Sequence, residues 1–178
     1  MEQKNWMEQM MKETQLKQVL DTNQYTEKYG LVLSNEDTQI LIAERGETLK
    51  QERRIEFGES ILPKIIYAFC DSVWINQSDY RNTLIRLQDI FFSYKNEMMD
   101  EITDDELIAF MRDQFETVCG GDLDYLEGTC LDVFAQAIRA GYTDYQAADV
   151  REEAGKFDLV QRWDKELYQE VLRDLCWK

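Results

Sequence analysis

Acidic side chains that could do chemistry are concentrated in one segment of this 178-residue chain. Residues 97–132 hold twelve Asp and Glu and a single base, Arg112, so they carry −11 of the net charge of −16. Such a segment can be a solvated surface that complements helix dipoles, a docking surface for a basic protein, or a divalent-cation site. We predict a docking surface for a basic protein partner. Its candidate residues are Asp104, Asp105, Asp122 and Asp124.

A second interpretation of the carboxylates is enzymatic. Glu44 and Glu47 are spaced i, i+3 on one predicted helix, and Glu97 and Asp100 have the same spacing elsewhere. Two such pairs could hold magnesium with carboxylates alone, so the alternative function is a magnesium-dependent nucleotide or phosphoester hydrolase. This spacing is common in acidic helical proteins. The favoured interpretation is therefore non-enzymatic, with no metal and no cofactor.

Histidine is absent from the sequence, which excludes Ser-His-Asp and Cys-His catalysis and His-ligated zinc. The four cysteines form no Cys-x-x-Cys pair, so the spacing typical of redox motifs and zinc ribbons is missing. They are Cys70, Cys119, Cys130 and Cys176. We expect them to be buried as small apolar side chains in a reducing compartment.

Two short polar stretches are further candidates for binding. Arg54 and Glu56 precede a predicted helix and could clamp a ligand, or Arg54 could form an ion pair with Glu56 or with Asp71. Lys95 and Glu97 end another predicted helix, where they could form either a buried polar cluster or an exposed cap. The residue types leave these alternatives open.

Charge and hydropathy limit the partners. A net charge of −16 repels phosphate backbones, so we expect no nucleic-acid partner. No apolar run approaches the roughly 18–20 residues that cross a bilayer, and residues 1–6 lack the apolar core of a signal peptide. The sequence therefore predicts a cytoplasmic protein that does not bind membranes.

The elements that must position these residues are helices. The strongest periodic signal is an apolar seam over residues 78–98, and its members are Tyr80, Leu84, Leu87, Phe91, Tyr94 and Met98. We predict an all-α, single-domain bundle of about six to eight helices over residues 1–178, with this helix at its centre. Residues 15–141 would be the core, and residues 142–178 a helical extension with helices at 145–154, capped by Thr143, and at 157–175.

Local signals place the other helices. Ser34 is a predicted N-cap for a helix that reaches Arg53, residues 59–70 form a short apolar helix, and Thr103 with Glu106 forms a capping box. Residues 23–34 would be a loop packed on the core through Tyr25, Tyr29 and Leu31. Gly128 would separate a short helical turn from the next helix.

The N-terminal helix carries an apolar stripe whose members are Trp6, Met7, Met10 and Met11. Such a stripe usually packs on its own chain. Alternatively it could join two copies, so a homo-oligomer is one predicted assembly.

Five motifs carry a resemblance to a known family. They are Arg54-Ile-Glu-Phe-Gly58, Phe69-Cys-Asp-Ser72, Lys95-Asn-Glu97, Thr103-Asp-Asp-Glu-Leu-Ile108 and Tyr125-Leu-x-Gly-Thr129. Over about residues 15–141 the chain resembles a bacterial family of unknown function found in clostridia-like anaerobes. The resemblance implies a bacterial, intracellular protein, and it implies no activity, cofactor or catalytic residue.

Overall fold

A computed structural model describes residues 2–56 and 60–139, and within these ranges the chain is helical with no strand. The helices are α1 (Glu2–Asp21), α2 (Asn23–Thr26), α3 (Asn35–Gln51), α4 (Ile61–Phe69), α5 (Tyr80–Glu97), α6 (Asp104–Thr117), α7 (Leu123–Tyr125) and α8 (Asp132–Arg139). A 3₁₀ turn covers Glu27–Tyr29 and a π-helical turn covers Leu126–Leu131. The predicted all-α class is confirmed. The helices predicted at 145–154 and 157–175, with the Thr143 cap, lie outside the described residues.

The starts of the principal helices follow from local capping chemistry. The Ser34 hydroxyl accepts the Asp37 N–H at 3.0 Å, and the Asp37 carboxylate binds back to Ser34. Thr103 and Glu106 repeat this reciprocal arrangement at the start of α6. Each box satisfies backbone donors that the first turn of a helix leaves without partners. Both predicted N-termini are therefore confirmed.

The chain divides into two compact units, one ending at Phe92 and the other beginning at Ser93. Since this division falls within α5, that helix contributes side chains to both units. All six residues of its predicted seam are buried, with at most 4% of each side chain exposed. The prediction of one domain over residues 1–178 stays a prediction.

The first unit has an apolar core drawn from α3, α4 and α5. Besides Tyr80 and Phe91 of the α5 seam, the fully buried side chains that these helices supply include Leu41, Leu62, Ile65, Ile66, Phe69, Leu84 and Leu87. Burying each of these side chains contributes roughly 1.5–3 kcal/mol of transfer free energy. Side-chain hydrogen bonds then hold the chain between α2 and α3, because Asn23 and Gln77 each pair with a backbone segment there.

Residues 23–34 differ in part from the predicted loop. They form α2 and a 3₁₀ turn, and Leu31 is buried as expected. Tyr25 and Tyr29 do not pack in the core, because 43% and 42% of their surfaces are exposed. Their rings contact each other edge to face, and Lys28 lies 3.7 Å from the centre of the Tyr25 ring. The edge-to-face and cation–π contacts stabilise these two rings at the surface of the protein.

The second unit, in its described part, packs α6, the π-helical turn and α8 around stacked aromatic rings. Phe110 and Phe134 stack with ring centres 3.8 Å apart. Three other side chains from the same elements are fully buried, namely Leu107, Phe115 and Leu131. Gly128 lies within the π-helical turn, so it does not separate two helices as predicted. The helical path continues through it from α7 to α8.

In the described part of the chain, no helix is both long and apolar enough to cross a membrane.

Candidate functional site

The last turn of α5 carries a buried ammonium group. Lys95 has 7% of its side chain exposed, and its Nζ lies 3.0 Å from Asp104 and 3.9 Å from Asp100. The same Nζ donates to the carbonyl oxygen of Ile102. These acceptors come from the connection after α5 and from the first turn of α6. The sequence left open whether Lys95 forms a buried polar cluster or an exposed cap. In the structure Lys95 forms a buried polar cluster.

The connection after α5 has a strained backbone, and hydrogen bonds to Lys95 stabilise it. Met99 and Asp100 have φ values of 50° and 59°, in the left-handed region that non-glycine residues rarely adopt. The N–H of Asp100 donates to the Lys95 carbonyl at 3.2 Å, and the Glu101 N–H donates to the Met98 carbonyl at 3.0 Å. Lys95 thus holds the connection through both its backbone and its side chain.

Tyr94, the residue before Lys95, brings in acidic groups from a third stretch. Its hydroxyl lies 2.6 Å from the Asp132 carboxylate and also contacts the carbonyl oxygen of Glu127. Because a phenol has one proton, it donates to one of these acceptors at a time. Burial raises the pKa of the Tyr94 hydroxyl, and the charges of Asp132, Glu127 and Glu97 raise it further. Tyr94 therefore stays neutral beside the Asp132 carboxylate.

Glu97 completes the cluster at the helix end. It is exposed, and one of its oxygens accepts a 2.6 Å hydrogen bond from Arg139 on α8. We name the set of Glu97, Asp100, Asp104 and Asp132 the α5-end cluster. Its members come from stretches that the sequence separates, and one turn of α5 collects them.

Within residues 93–139 there are twelve acids and three bases, a net charge of −9. Each of the three bases already binds an acid of the same unit: Lys95 binds Asp104, Arg139 binds Glu97 and Arg112 binds Glu116. Even complete pairing of these bases leaves a large excess of negative charge. This excess produces a negative potential that attracts cationic groups and repels anions.

The other predicted docking residues have different roles. Asp122 caps α7, because its carboxylate accepts the N–H groups of Asp124 and Tyr125 at 2.9 and 3.0 Å. Asp105 and Asp124 are exposed. Asp105 lies in the first turn of α6, where the helix dipole favours a negative charge. A variant at Asp104 would disturb the buried ammonium, and a variant at Asp122 would disturb the α7 cap.

Glu56, one residue of the predicted clamp, pairs with an arginine of α3. Arg45 forms an ion pair with Glu56, with 10% and 11% of the two side chains exposed. The other Glu56 oxygen accepts the N–H of Ile61 at 2.6 Å, which ties this ion pair to the start of α4. Burial lowers the pKa of the Arg45 guanidinium. Arg54 is half-buried and Asp71 is exposed, and a ligand clamp at these residues stays a prediction.

The four residues of the predicted magnesium site lie on two stretches. Glu44 and Glu47 are exposed on α3, and Lys50 binds Glu47 at 2.6 Å. Glu97 and Asp100 belong to the α5-end cluster. In the described part of the chain, no group of three or more His, Cys, Asp or Glu side chains is placed to hold a metal ion. The hydrolase stays a prediction.

Sequence reasoning missed three residues that organise these sites. Arg45 follows Leu41 by four positions and precedes Thr48 by three, so its place on the buried face of α3 was readable from spacing. Tyr94 was identified only as an apolar seam residue. Arg139 has no local signal, because it lies 42 positions from the residue that it binds.

Comparison with known proteins adds a family. The model of a family of unknown function, DUF6323, matches residues 18–144, which is more than half of the chain. The chain belongs to DUF6323. No curated protein and no solved structure shows a significant match. The predicted resemblance to an uncharacterised family over about residues 15–141 is therefore confirmed.

Within the DUF6323 region, several of the motifs that carry the resemblance fix helix ends. Thr103 caps α6, Lys95 holds the connection after α5, and Glu56 binds the N–H that opens α4. Ser72 accepts the Trp74 N–H at 3.2 Å just after α4. These motif residues therefore have structural roles in this chain, and the family description assigns no chemistry to them.

Replacing Lys95 tests the buried ammonium. We expect Lys95→Met to lower the free energy of unfolding by about 1–3 kcal/mol, because charged hydrogen bonds of this kind contribute about that much. Urea denaturation of the full chain measures the change. Lys50→Met is the matched control, since its exposed ion pair with Glu47 should contribute less than about 0.5 kcal/mol. Equal effects of the two variants would contradict a structural role for Lys95.

Proposed function

We propose that this DUF6323 protein is a non-enzymatic binding module of the bacterial cytoplasm that docks a basic protein partner on residues 97–132. The observation that carries the proposal is the α5-end cluster, in which one helical turn collects acids from three stretches of chain. The location is supported by the resemblance to a bacterial, intracellular family.

Physical chemistry favours a protein partner with clustered Lys and Arg. Charge complementarity speeds encounter and orients the two partners, and its effect decreases as salt screens the charges. The negative charges of the α5-end cluster are held by Tyr94, Lys95 and Arg139, so their arrangement exists before binding. A prearranged charged surface avoids part of the ordering cost of association.

The acids to change in a test of this proposal are exposed ones other than the cap residue Asp122. Within residues 97–132 they include Glu101, Asp105 and Asp124. On the first unit, Glu13, Glu36 and Glu44 are also exposed. Neutralising either set changes the net charge of the chain by the same three units.

Neutralising the acidic segment should weaken binding of a basic peptide. The probe is a short fluorescent peptide of alternating Lys and Ser, and its affinity is measured by anisotropy at about 50 and 250 mM NaCl, which span strong and weak screening. We expect Glu101→Gln, Asp105→Asn and Asp124→Asn together to weaken binding about tenfold at low salt. The estimate assumes about 0.5 kcal/mol for each exposed charge.

The control is Glu13→Gln, Glu36→Gln and Glu44→Gln together, which should change the affinity less than about twofold. If both triple variants weaken binding equally, the total charge of the chain, and not residues 97–132, attracts the peptide. That result would overturn the proposal, as would failure of the unaltered protein to bind the peptide at low salt.

Exposure of the N-terminal stripe favours a second binding role, self-association. Trp6, Met10 and Met11 on α1 have 63%, 46% and 59% of their surfaces exposed. Large exposed apolar groups of this kind mark contact sites. Residues 2–21 hold four acids and three bases, so two copies of α1 can approach without the repulsion that residues 97–132 would cause.

Light scattering with size-exclusion chromatography tests this second role. We expect the full chain to form dimers whose fraction rises with concentration, and Trp6→Ala with Met10→Ala to shift it toward monomer by about tenfold in Kd. Two truncated contacts of about 0.7 kcal/mol each would produce that shift. Tyr67→Ala, which removes another exposed aromatic side chain, is the control and should leave the dimer unchanged. A monomer at every concentration would contradict self-association.

A further inference from the structure

Two cysteine thiols meet in the second unit. The Sγ atoms of Cys119 and Cys130 lie 3.7 Å apart, although eleven positions separate the two residues in sequence. Both thiols are free. The sequence predicted that all four cysteines are buried, and Cys176 lies outside the described residues. Cys70 and Cys130 are buried, whereas Cys119 is half-exposed and in contact with another thiol.

The backbone, and not a chance side-chain rotamer, brings the two thiols together. The Cys119 N–H donates to the Gln114 carbonyl at 2.9 Å, and the Cys119 carbonyl accepts the Asp122 N–H at 3.1 Å. Gly120 and Gly121 follow with φ values of 56° and 87°, so the chain reverses directly after Cys119. Left-handed φ values of this kind favour glycine. Cys130 is held in the π-helical turn that the reversed chain then forms.

The two thiols differ in acidity and in access to solvent. The contact with Cys119 lowers the pKa of the Cys130 thiol, and burial of Cys130 opposes this shift. The same contact, burial and the charge of Asp122 raise the pKa of the Cys119 thiol. Cys130 therefore loses its proton first, and Cys119 holds the remaining proton on the side nearer to solvent.

We propose that Cys119 and Cys130 are a redox modification site at which a peroxide forms a reversible intramolecular disulfide. Intracellular disulfides, where they form, are usually transient and redox-sensing. Thiolate character and access to solvent control this chemistry. Cys130 has the lowered pKa, and Cys119 is the more exposed of the two thiols.

The reaction balances with hydrogen peroxide as the oxidant. The Cys130 thiolate attacks one peroxide oxygen and the O–O bond breaks. Cys130 becomes a sulfenic acid, and hydroxide is the leaving group. The Cys119 sulfur then attacks the Cys130 sulfur, the S–S bond forms, and the oxygen leaves as water with the Cys119 proton. The hydroxide takes the proton that Cys130 released. Two thiols and one peroxide thus become one disulfide and two waters.

The geometry needs only a small adjustment. A disulfide bond is about 2.05 Å long, so the two sulfurs must approach by about 1.7 Å from their present 3.7 Å. The bond would close a loop that contains Asp122 and Asp124. Because a cross-link restricts the unfolded chain, we expect the oxidised protein to unfold at a higher temperature.

The test treats the reduced full-length protein with hydrogen peroxide and then alkylates and digests it for mass spectrometry. We expect a peptide pair that links Cys119 to Cys130, the loss of two hydrogens for each linked chain, and complete reversal by dithiothreitol. Cys70 should remain alkylatable after denaturation, since its thiol is buried in the other unit.

Variants separate a resolving role from accidental proximity. In Cys119→Ser, dimedone should trap a sulfenic acid at Cys130, whereas the unaltered protein should show little adduct because Cys119 reacts first. Cys70→Ser is the control and should behave like the unaltered protein. The proposal is overturned if the unaltered protein forms no Cys119–Cys130 link, or if Cys119 links equally often to Cys70, to Cys176 or to another chain.

Discussion

A buried ammonium group is the constraint on which the arrangement of the acidic second unit depends. Removing a lysine ammonium from water is costly unless several oxygens replace its hydration. Lys95 meets this requirement with the Ile102 carbonyl and with the carboxylates of Asp100 and Asp104. The consequence is geometric. The end of α5, the left-handed connection after it and the start of α6 must lie where they can solvate one cation.

The same turn of α5 explains how a highly acidic unit can fold and still present negative charge. Tyr94, Lys95 and Glu97 each bind a group from another stretch, so nearby carboxylates gain a donor or a counter-ion. Three bases cannot neutralise the twelve acids of residues 93–139. The remaining charge is therefore a property of a defined arrangement, and the proposed docking role depends on that arrangement.

The features that the sequence predicted are those with local causes. The Ser34 and Thr103 capping boxes need only residues within one turn, and the α5 seam needs only a regular spacing of apolar side chains. The capping boxes and the seam can therefore be predicted without knowing which distant residues they contact. The exposed positions of Tyr25 and Tyr29 were not, because their mutual contact and the adjacent Lys28 satisfy rings that hydropathy alone assigns to the core.

The contacts that sequence reasoning missed join distant positions or depend on irregular backbone. Arg139 lies 42 positions from Glu97, and nothing in the intervening spacing indicates that they meet. The contact of Cys119 with Cys130 requires a left-handed glycine pair and a π-helical turn, and regular helical periodicity predicts neither. Gly128 showed the same limit, since a glycine within a π-helical turn resembles a helix break in the sequence.

Thermal unfolding of the full chain in NaCl, in MgCl₂ or CaCl₂ at matched ionic strength, and in EDTA tests the central claim most directly. If residues 97–132 are a docking surface for a cationic partner, all salts should raise Tm equally by screening, and EDTA should have no effect. A rise with Mg²⁺ or Ca²⁺ beyond the NaCl value would demonstrate a divalent-cation site through binding linkage. That result would contradict the non-enzymatic account and favour a carboxylate-based hydrolase.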